Sequence, residues 1–332
     1  MTFTRRSLMT GALASPFAAA LPEFAQAQHL AQAQTWPSGI IKIIVPFPPG
    51  GSVDPIARMA QPGMQKALDA TLVIENRPGS SGALGTEIVA KSPPDGNTWV
   101  FVFDSHAVNP FLFDLNFDTV KDLAPVMLIG TAPNVLATHP SRPYKTFADV
   151  VAAAKATPDT ITYASIGSGS VGHLTMTLLA EKAGCKLVHV PYRGGGPAMN
   201  DAIAGHVDLI IGSAALVMPQ VNAKTVVPLL QTGKTRMPNL PDTQTAIDAG
   251  FPGFESYAWW GVFAPAGTPQ PIIERFAAAL GDSLRNPTVS KTLTESLQIS
   301  LRLGDAREEA KFLAEQMALW GPVVKENNIK SD

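Results

Sequence analysis

Apolar runs of strand length alternate with segments of helical spacing along most of this 332-residue chain, and this alternation constrains its fold more than any other feature. "GIIKIIVPF" (residues 39–47) reads as a buried strand. Ile56, Met59, Ala60, Met64, Ala67 and Leu68 then recur at helical intervals, with Asp54 expected as N-cap, Pro55 at the first helical position and a kink at Pro62. "TLVIENR", "GSSGALGTEIVAKS" and "TWVFVFD" continue as strand, glycine-opened helix and strand, and "LAPVMLIG" and "PNVLATHP" read as two further short strands. The pattern restarts at Thr146, the expected cap of a helix over "TFADVVAAAKAT". "ITYASI", "KLVHVPY", "VDLIIGSA" and "VVPLLQTG" read as strands there, with helices over "GHLTMTLLAEKAG" and "GGPAMNDAIAGH". After "YAWWGVFAP" the last third reads as mostly helical, over residues 271–285, 288–297 and 306–326. Repeated β-α-β units imply a mostly parallel sheet with helices on both faces, and two starts of the pattern imply two such domains.

The N-terminus is expected to be an export signal over residues 1–27. Arg5 and Arg6 precede an uncharged stretch from Ser7 to Pro22, and Ala25-Gln26-Ala27 has the small-residue pattern of a cleavage site. The arginine pair leans toward the twin-arginine route, with the general secretory route the alternative. Removing Arg5, Arg6 and Glu23 moves the formal charge from −2 to −3, which gives no support for a nucleic-acid or anionic-membrane partner. Later uncharged stretches carry several prolines each and do not read as membrane spans. Cys185 is the single cysteine, so neither an intramolecular disulfide nor a cysteine-based metal cluster can form. A soluble exported protein is the expectation.

In doubly wound sheets ligands bind at the carboxyl ends of the strands, so the loops to interrogate are 46–54, 77–85, 104–110, 166–173, 192–197 and 212–215. In "VPFPPGGSVDP" (residues 45–55), Gly50, Gly51 and Ser52 stand between a strand and a helix, where converging backbone N–H groups and the helix dipole favour an anion. The Gly-Lys-Ser/Thr ending of a nucleotide P-loop is missing. "GSGSVG" (167–172) matches the dinucleotide fingerprint, but no acidic residue follows at the ribose-binding distance; Tyr192-Arg193 ends the next strand instead. Arg193 would suit a 2′-phosphate, which keeps an exported oxidoreductase as a rival reading. A second N–H cradle, with Ser165, Ser168 and Ser170 as hydroxyl donors, is the more economical one. No G-x-S-x-G elbow surrounds Ser168 or Ser170, and the histidines lack zinc-site spacing. Tyr257, Trp259 and Trp260 read as core or hinge aromatics. These donors are arranged to hold a small carboxylate without transforming it, so neither a catalytic residue, a metal nor a cofactor is expected.

"VPFPPGGSVDPIAR", "VIENRPGSSGALGTEIVAKSPPDGNTW", "SHAVNPFLF", "YASIGSGSVGHLTM", "HVPYRGGGPAMNDAIAGHVDLI", "GKTRMPNLPDTQTAIDAGFPGF" and "WWGVFAPAGTP" occur in this order. Together they resemble the Bug family, the solute-binding proteins of tripartite tricarboxylate transporters (TctC-like), from about Trp36 to the C-terminus. The resemblance implies a type II periplasmic binding protein fold: two doubly wound α/β domains, 36–137 plus 233–332 and 138–232, joined by a hinge of crossing strands. It implies a monomer in the periplasm that captures a small carboxylate, amino acid or aromatic acid and delivers it to membrane permease subunits. A ligand-sensing partner of a signalling system is the alternative that shares the same pocket. By the resemblance Phe47, Gly51 and Ser52 grip the ligand from one domain, and Gly167, Ser168, Gly169, Ser170 and His173 from the other. Ser105, His106, Tyr192 and Arg193, in the interrogated loops, complete the candidate set. Asp104 departs from the small or hydroxyl residue usual before "SHAVNP". It either meets a cationic or hydrogen-bond-donating group of the ligand or turns away to cap the following loop.

Overall fold

A computed structural model describes residues 36–331; the expected export signal lies outside the described residues. Two groups of parallel strands share one mixed sheet. In the first, β1 (Ile41–Val45) lies between β2 (Leu72–Asn76) and β3 (Thr98–Phe103), with Ile43 opposite both Ile74 and Trp99. Helices α1 (Val53–Leu68) and α2 (Ala83–Ala90) connect them. The second group follows α3 (Phe147–Ala156). There β5 (Thr162–Ser165), α4 (Val171–Ala183), β6 (Val188–Pro191), α5 (Gly195–Ile203), β7 (Leu209–Ser213) and α6 (Ala214–Asn222) succeed one another, and β5 pairs in parallel with both β6 and β7.

Antiparallel strands occupy the centre, where the alternation alone predicted parallel ones. The segment read as two short strands is one strand, β4 (Leu123–Thr138). It pairs with β9 (Tyr257–Pro265) over its first part and with β7 over Asn134–Thr138. Its other edge carries β10 (Ser300–Gly304) and then β8 (Val227–Gln231). Gly130, the last residue of the first of those two segments, sits at a register shift where a Cβ would run into the Ser300 carbonyl oxygen of β10. The sheet order is therefore β2-β1-β3-β9-β4-β7-β5-β6. Helices α7 (Gln270–Arg285) and α8 (Ala306–Glu326) cover the first group; Trp99 stacks on Phe276 of α7 at 3.7 Å.

Two further expectations need correction. Asp54 is not the cap of α1: Ser52 holds the N-cap position, and Asp54 lies inside the first turn. Its carboxylate instead accepts from Arg58 Nε and Asn76 Nδ2, both at 2.9 Å, and Asn76 also donates to the Phe47 carbonyl at 3.0 Å. Asp54 thereby ties the loop after β1 to the end of β2. In addition, α6 and β10 were not expected. α6 begins with five consecutive buried residues, Ala214 to Met218, and so shows no one-sided periodicity. Thr146, by contrast, is the N-cap that its sequence predicts, and the structure adds a capping box with Asp149.

Each strand group has its own apolar core. Val100, Val102, Leu128, Trp259, Phe263 and Leu313 fill the first; Leu136, Phe147, Tyr163, Met176, Ile211 and Leu230 fill the second. A smaller cluster of Val108, Val171, Leu174, Trp320 and Val324 joins α8 and the turn after β3 to α4.

Glu309 of α8 is a polar intruder. It is fully buried, neither carboxylate oxygen has a hydrogen-bond partner, and it sits against the β9 backbone at Gly261. Burial, helped by the neighbouring Glu308, holds its carboxyl well above the ordinary value of 4.5. A carboxyl that keeps its proton when folded and releases it when unfolded stabilises least at high pH. Its contribution is complete below the unfolded value and is lost as pH rises toward the folded one. Glu309→Gln should therefore be more stable than wild type at neutral pH and remove up to about 1.4 kcal/mol per pH unit of slope. Urea unfolding from mildly acidic to mildly alkaline pH checks this, and an unchanged slope would contradict it.

Candidate ligand-binding site

Because β4 joins the two strand groups, the carboxyl ends of β1, β2 and β3 face those of β5, β6 and β7. The loops that follow these strands meet. Ser81 Oγ donates to the Ser168 carbonyl at 2.9 Å, and Ser105 Oγ donates to the Ser81 carbonyl at 2.6 Å. Gly196, at the start of α5, lies so close to the first loop that a Cβ on it would stand 2.8 Å from the Pro49 carbonyl oxygen.

Between these loops is a cavity of about 20 Å³, lined by Phe47, Gly51, Ser52, Val53, Phe103, Ile166, Gly195, Ser213 and Leu216. That is room for about one water molecule. No charged side chain lines it. Instead three helices begin at its wall: α1 at Val53, α5 at Gly195 and α6 at Ala214. Their N-cap residues, Ser52, Gly194 and Ser213, make no side-chain capping hydrogen bond. Each start presents unspent N–H groups and partial positive charge, so the cavity suits an anion without any cationic side chain.

Side chains refine this wall. Trp260 Nε1 donates to Ser52 Oγ at 3.2 Å, which leaves the Ser52 hydroxyl hydrogen available to a ligand. Phe47, Phe103 and Trp260 form a continuous aromatic side, with centroids 6.0 Å apart for Phe47–Phe103 and 5.4 Å for Phe103–Trp260. Ser213 Oγ is buried without a hydrogen-bond partner.

The second loop is more self-contained than the glycine motif implies. Gly167 N–H donates to Ser165 Oγ at 3.3 Å, and Gly169 N–H donates to His173 Nδ1 at 3.2 Å. Ser170 is the N-cap of α4, and its Oγ accepts from His173 N. The N–H groups that a pyrophosphate would need at Gly167 and Gly169 are thus turned onto the loop itself. His173 stacks on His189 at 3.7 Å; burial pushes the His189 imidazole down to about 4, so it stays neutral at physiological pH.

Asp104, Ser105 and His106 follow β3 and are all buried. Asp104 Oδ1 accepts from Val171 N–H, the first residue of α4, at 3.4 Å, so this acid reaches the opposite strand group. Burial raises its carboxyl to about 8 against the lowering effect of the Val171 and Ser105 amides. His106 points into the core, with its ring 4.8 Å from Phe263 and Nε2 without a partner, and burial pushes it down to about 3. The Tyr192 hydroxyl donates to Asp201 at 2.6 Å, and Arg193 is exposed. The cavity wall therefore includes Phe47, Gly51 and Ser52 from the candidate set, while Asp104 and Ser168 make contacts between the two groups. Ser81, Ser213, Gly195 and Trp260 are the additions; each stands in an interrogated loop or an aromatic cluster, but its role depends on the partner loop.

Gly196→Ala should work against this close approach by about 1–3 kcal/mol, since the added methyl meets backbone rather than a movable side chain. Small-angle scattering should show a larger radius of gyration than wild type. An unchanged radius would mean that the loops absorb the methyl locally.

The fold agrees with known proteins. The family profile described as "Tripartite tricarboxylate transporter family receptor" matches residues 56–329. The UPF0065 protein in the tcbD-tcbE intergenic region of Pseudomonas sp. (strain P51) is 36% identical over 299 residues, covering 90% of this chain and 89% of that protein. Protein BugT of Bordetella pertussis is 30% identical over 301 residues, covering 90% and 92%. Among solved structures, R. palustris Rpa4515 with adipate superimposes with a TM-score of 0.84 at 30% identity, covering 89% of this chain and 99% of that one. With paired sheets of the periplasmic binding protein type and a profile match across most of its length, this chain belongs to the tripartite tricarboxylate transporter receptor family.

Proposed function

We propose that this chain captures a small organic acid in the periplasm between its two strand groups and hands it to the membrane subunits of its transporter, without chemical change. The observation that carries the reading is the group of three helix starts with no side-chain cap around a cavity lined by no charged residue. A carboxylate satisfies such N–H groups directly and gains from the helix dipoles, each worth about 0.3–1 kcal/mol at low ionic strength and more when buried. Rpa4515, similar over nearly its whole length, was solved with adipate, which supports a carboxylate as the ligand class.

Residues 36–137 with 233–332, and residues 138–232, act in this proposal as two bodies that part and close about β4 and the crossing strands beside it. Parting admits the acid, since about 20 Å³ does not hold one. Phe47, Gly51 and Ser52 contact it from the first body. Gly195 and Ser213 contact it from the second, with the Gly167–His173 loop behind them. Among the described residues no helix is long and apolar enough to cross a membrane; in this proposal the membrane passage belongs to partner subunits.

A thermal-shift screen of the protein purified from the periplasm tests this. An acid at a hundred times its dissociation constant adds about 2.7 kcal/mol, or several degrees for a chain of this size. A shift with mono-, di- or amino-carboxylates is expected. If none shifts the transition and a nicotinamide dinucleotide does, the capture reading fails.

A further inference from the structure

Among the helices that begin at the junction between the strand groups, the start of α4 differs from those of α1, α5 and α6. At α1, α5 and α6 no side chain caps the first turn, whereas at α4 Ser170 caps it and Asp104 of the opposite group also reaches it. Asp104 is 1% exposed, and only the Val171 and Ser105 amides favour its ionised form. The Arg or Lys partner that normally accompanies a buried carboxylate is missing from its surroundings, as its rise to about 8 reflects. Phe103, the residue before it, lines the cavity, as does Ser213, whose buried hydroxyl also lacks a partner. The cavity wall therefore offers N–H groups for an anion, and behind Phe103, outside the lining itself, the chain holds a buried acid at the same junction.

We propose that Asp104 sets ligand specificity: one carboxylate of the ligand lies at the α1, α5 and α6 starts, and an ammonium or other N–H donor of the same ligand faces Asp104. This rests on the capture reading above. A positive donor compensates the buried carboxyl when the cleft closes, so closure with an amino acid removes a cost that closure with a plain diacid leaves in place. A second carboxylate at the same place offers no such compensation: it keeps the buried acid protonated, and an ionised acid there would meet like charge in a poorly solvated site. The preferred class is thus amino acids and related zwitterions over dicarboxylates of equal length.

Calorimetric titration of the full exported protein with matched pairs tests the assignment. The pairs are β-alanine and succinate, 4-aminobutanoate and glutarate, 5-aminopentanoate and adipate, and L-aspartate and succinate. Wild type should bind at least one amino acid ten-fold or more tightly than its matched diacid. Asp104→Ser should abolish or reverse that ratio, and Asp104→Asn should weaken it while keeping the side-chain shape. Diacids binding wild type as well as their amino partners would overturn the proposal and leave the capture reading intact, as would a ratio that Asp104→Ser does not change. Failure of every acid to bind wild type would remove both. The wild-type ratios decide the matter even if a variant does not fold.

Discussion

Everything at the site depends on β4 being paired along one edge over its whole length, by β9 and then β7, and over parts of the other by β10 and β8. Its first part belongs with β9 and β10 and its last five residues with β7 and β8, so one strand fixes two parallel sheets against each other. Parallel strands deliver their loops and helix starts at their carboxyl ends. With β4 between them, the two sets of carboxyl ends oppose one another, and loops more than 80 residues apart come within hydrogen-bond distance, as Ser81 and Ser168 do. Pro125 and Gly130 sit at register shifts, and Pro133 pairs in register with Tyr257, so the strand stays continuous through all three.

The electrostatics follow from that geometry. A receptor built on helix N-termini binds an anion through oriented dipoles that hold no side-chain entropy and need no counter-charge when empty. In the proposed capture each body supplies part of the shell, so the grip is complete only when the bodies meet and binding is tied to closure. The Gly167–Gly172 motif shows the same economy. Its amides at Gly167 and Gly169 are spent on Ser165 and His173, which shapes a stiff loop to carry Ser168 and Ser170 to the junction. The cradle formed by Gly50, Gly51 and Ser52 keeps its helix start uncapped and has Trp260 to orient the serine.

The strand–helix alternation was legible because apolar runs and helical spacing are local, and so were Thr146 as a cap and the loops that gather at the junction. The loop after β1 carried its meaning in a few residues: glycines followed by a serine at a helix start. What was not legible is set by contacts between distant segments. The antiparallel centre depends on β9, more than a hundred residues beyond β4 in sequence, and the first five residues of α6 are all buried, so no amphipathic pattern marks its start. Asp54 fits a cap by residue type, but Asn76 and Arg58 claim its carboxylate. Asp104 fits the expected turn onto its own loop only in part. The side chain does bond its own loop at the Ser105 amide, yet it also reaches α4 across the junction, which only the folded arrangement reveals.

The central claim is that a small acid closes two bodies about β4, and a distance measurement across the junction tests it most directly. Spin labels at Ile88 on α2 and Lys186 after α4, both exposed, in a Cys185→Ser background, report that distance by double electron–electron resonance. The account predicts a distribution that shortens and narrows on saturation with the acid giving the largest thermal shift. Identical distributions with and without that acid, while calorimetry shows it bound, would contradict closure as the mode of capture.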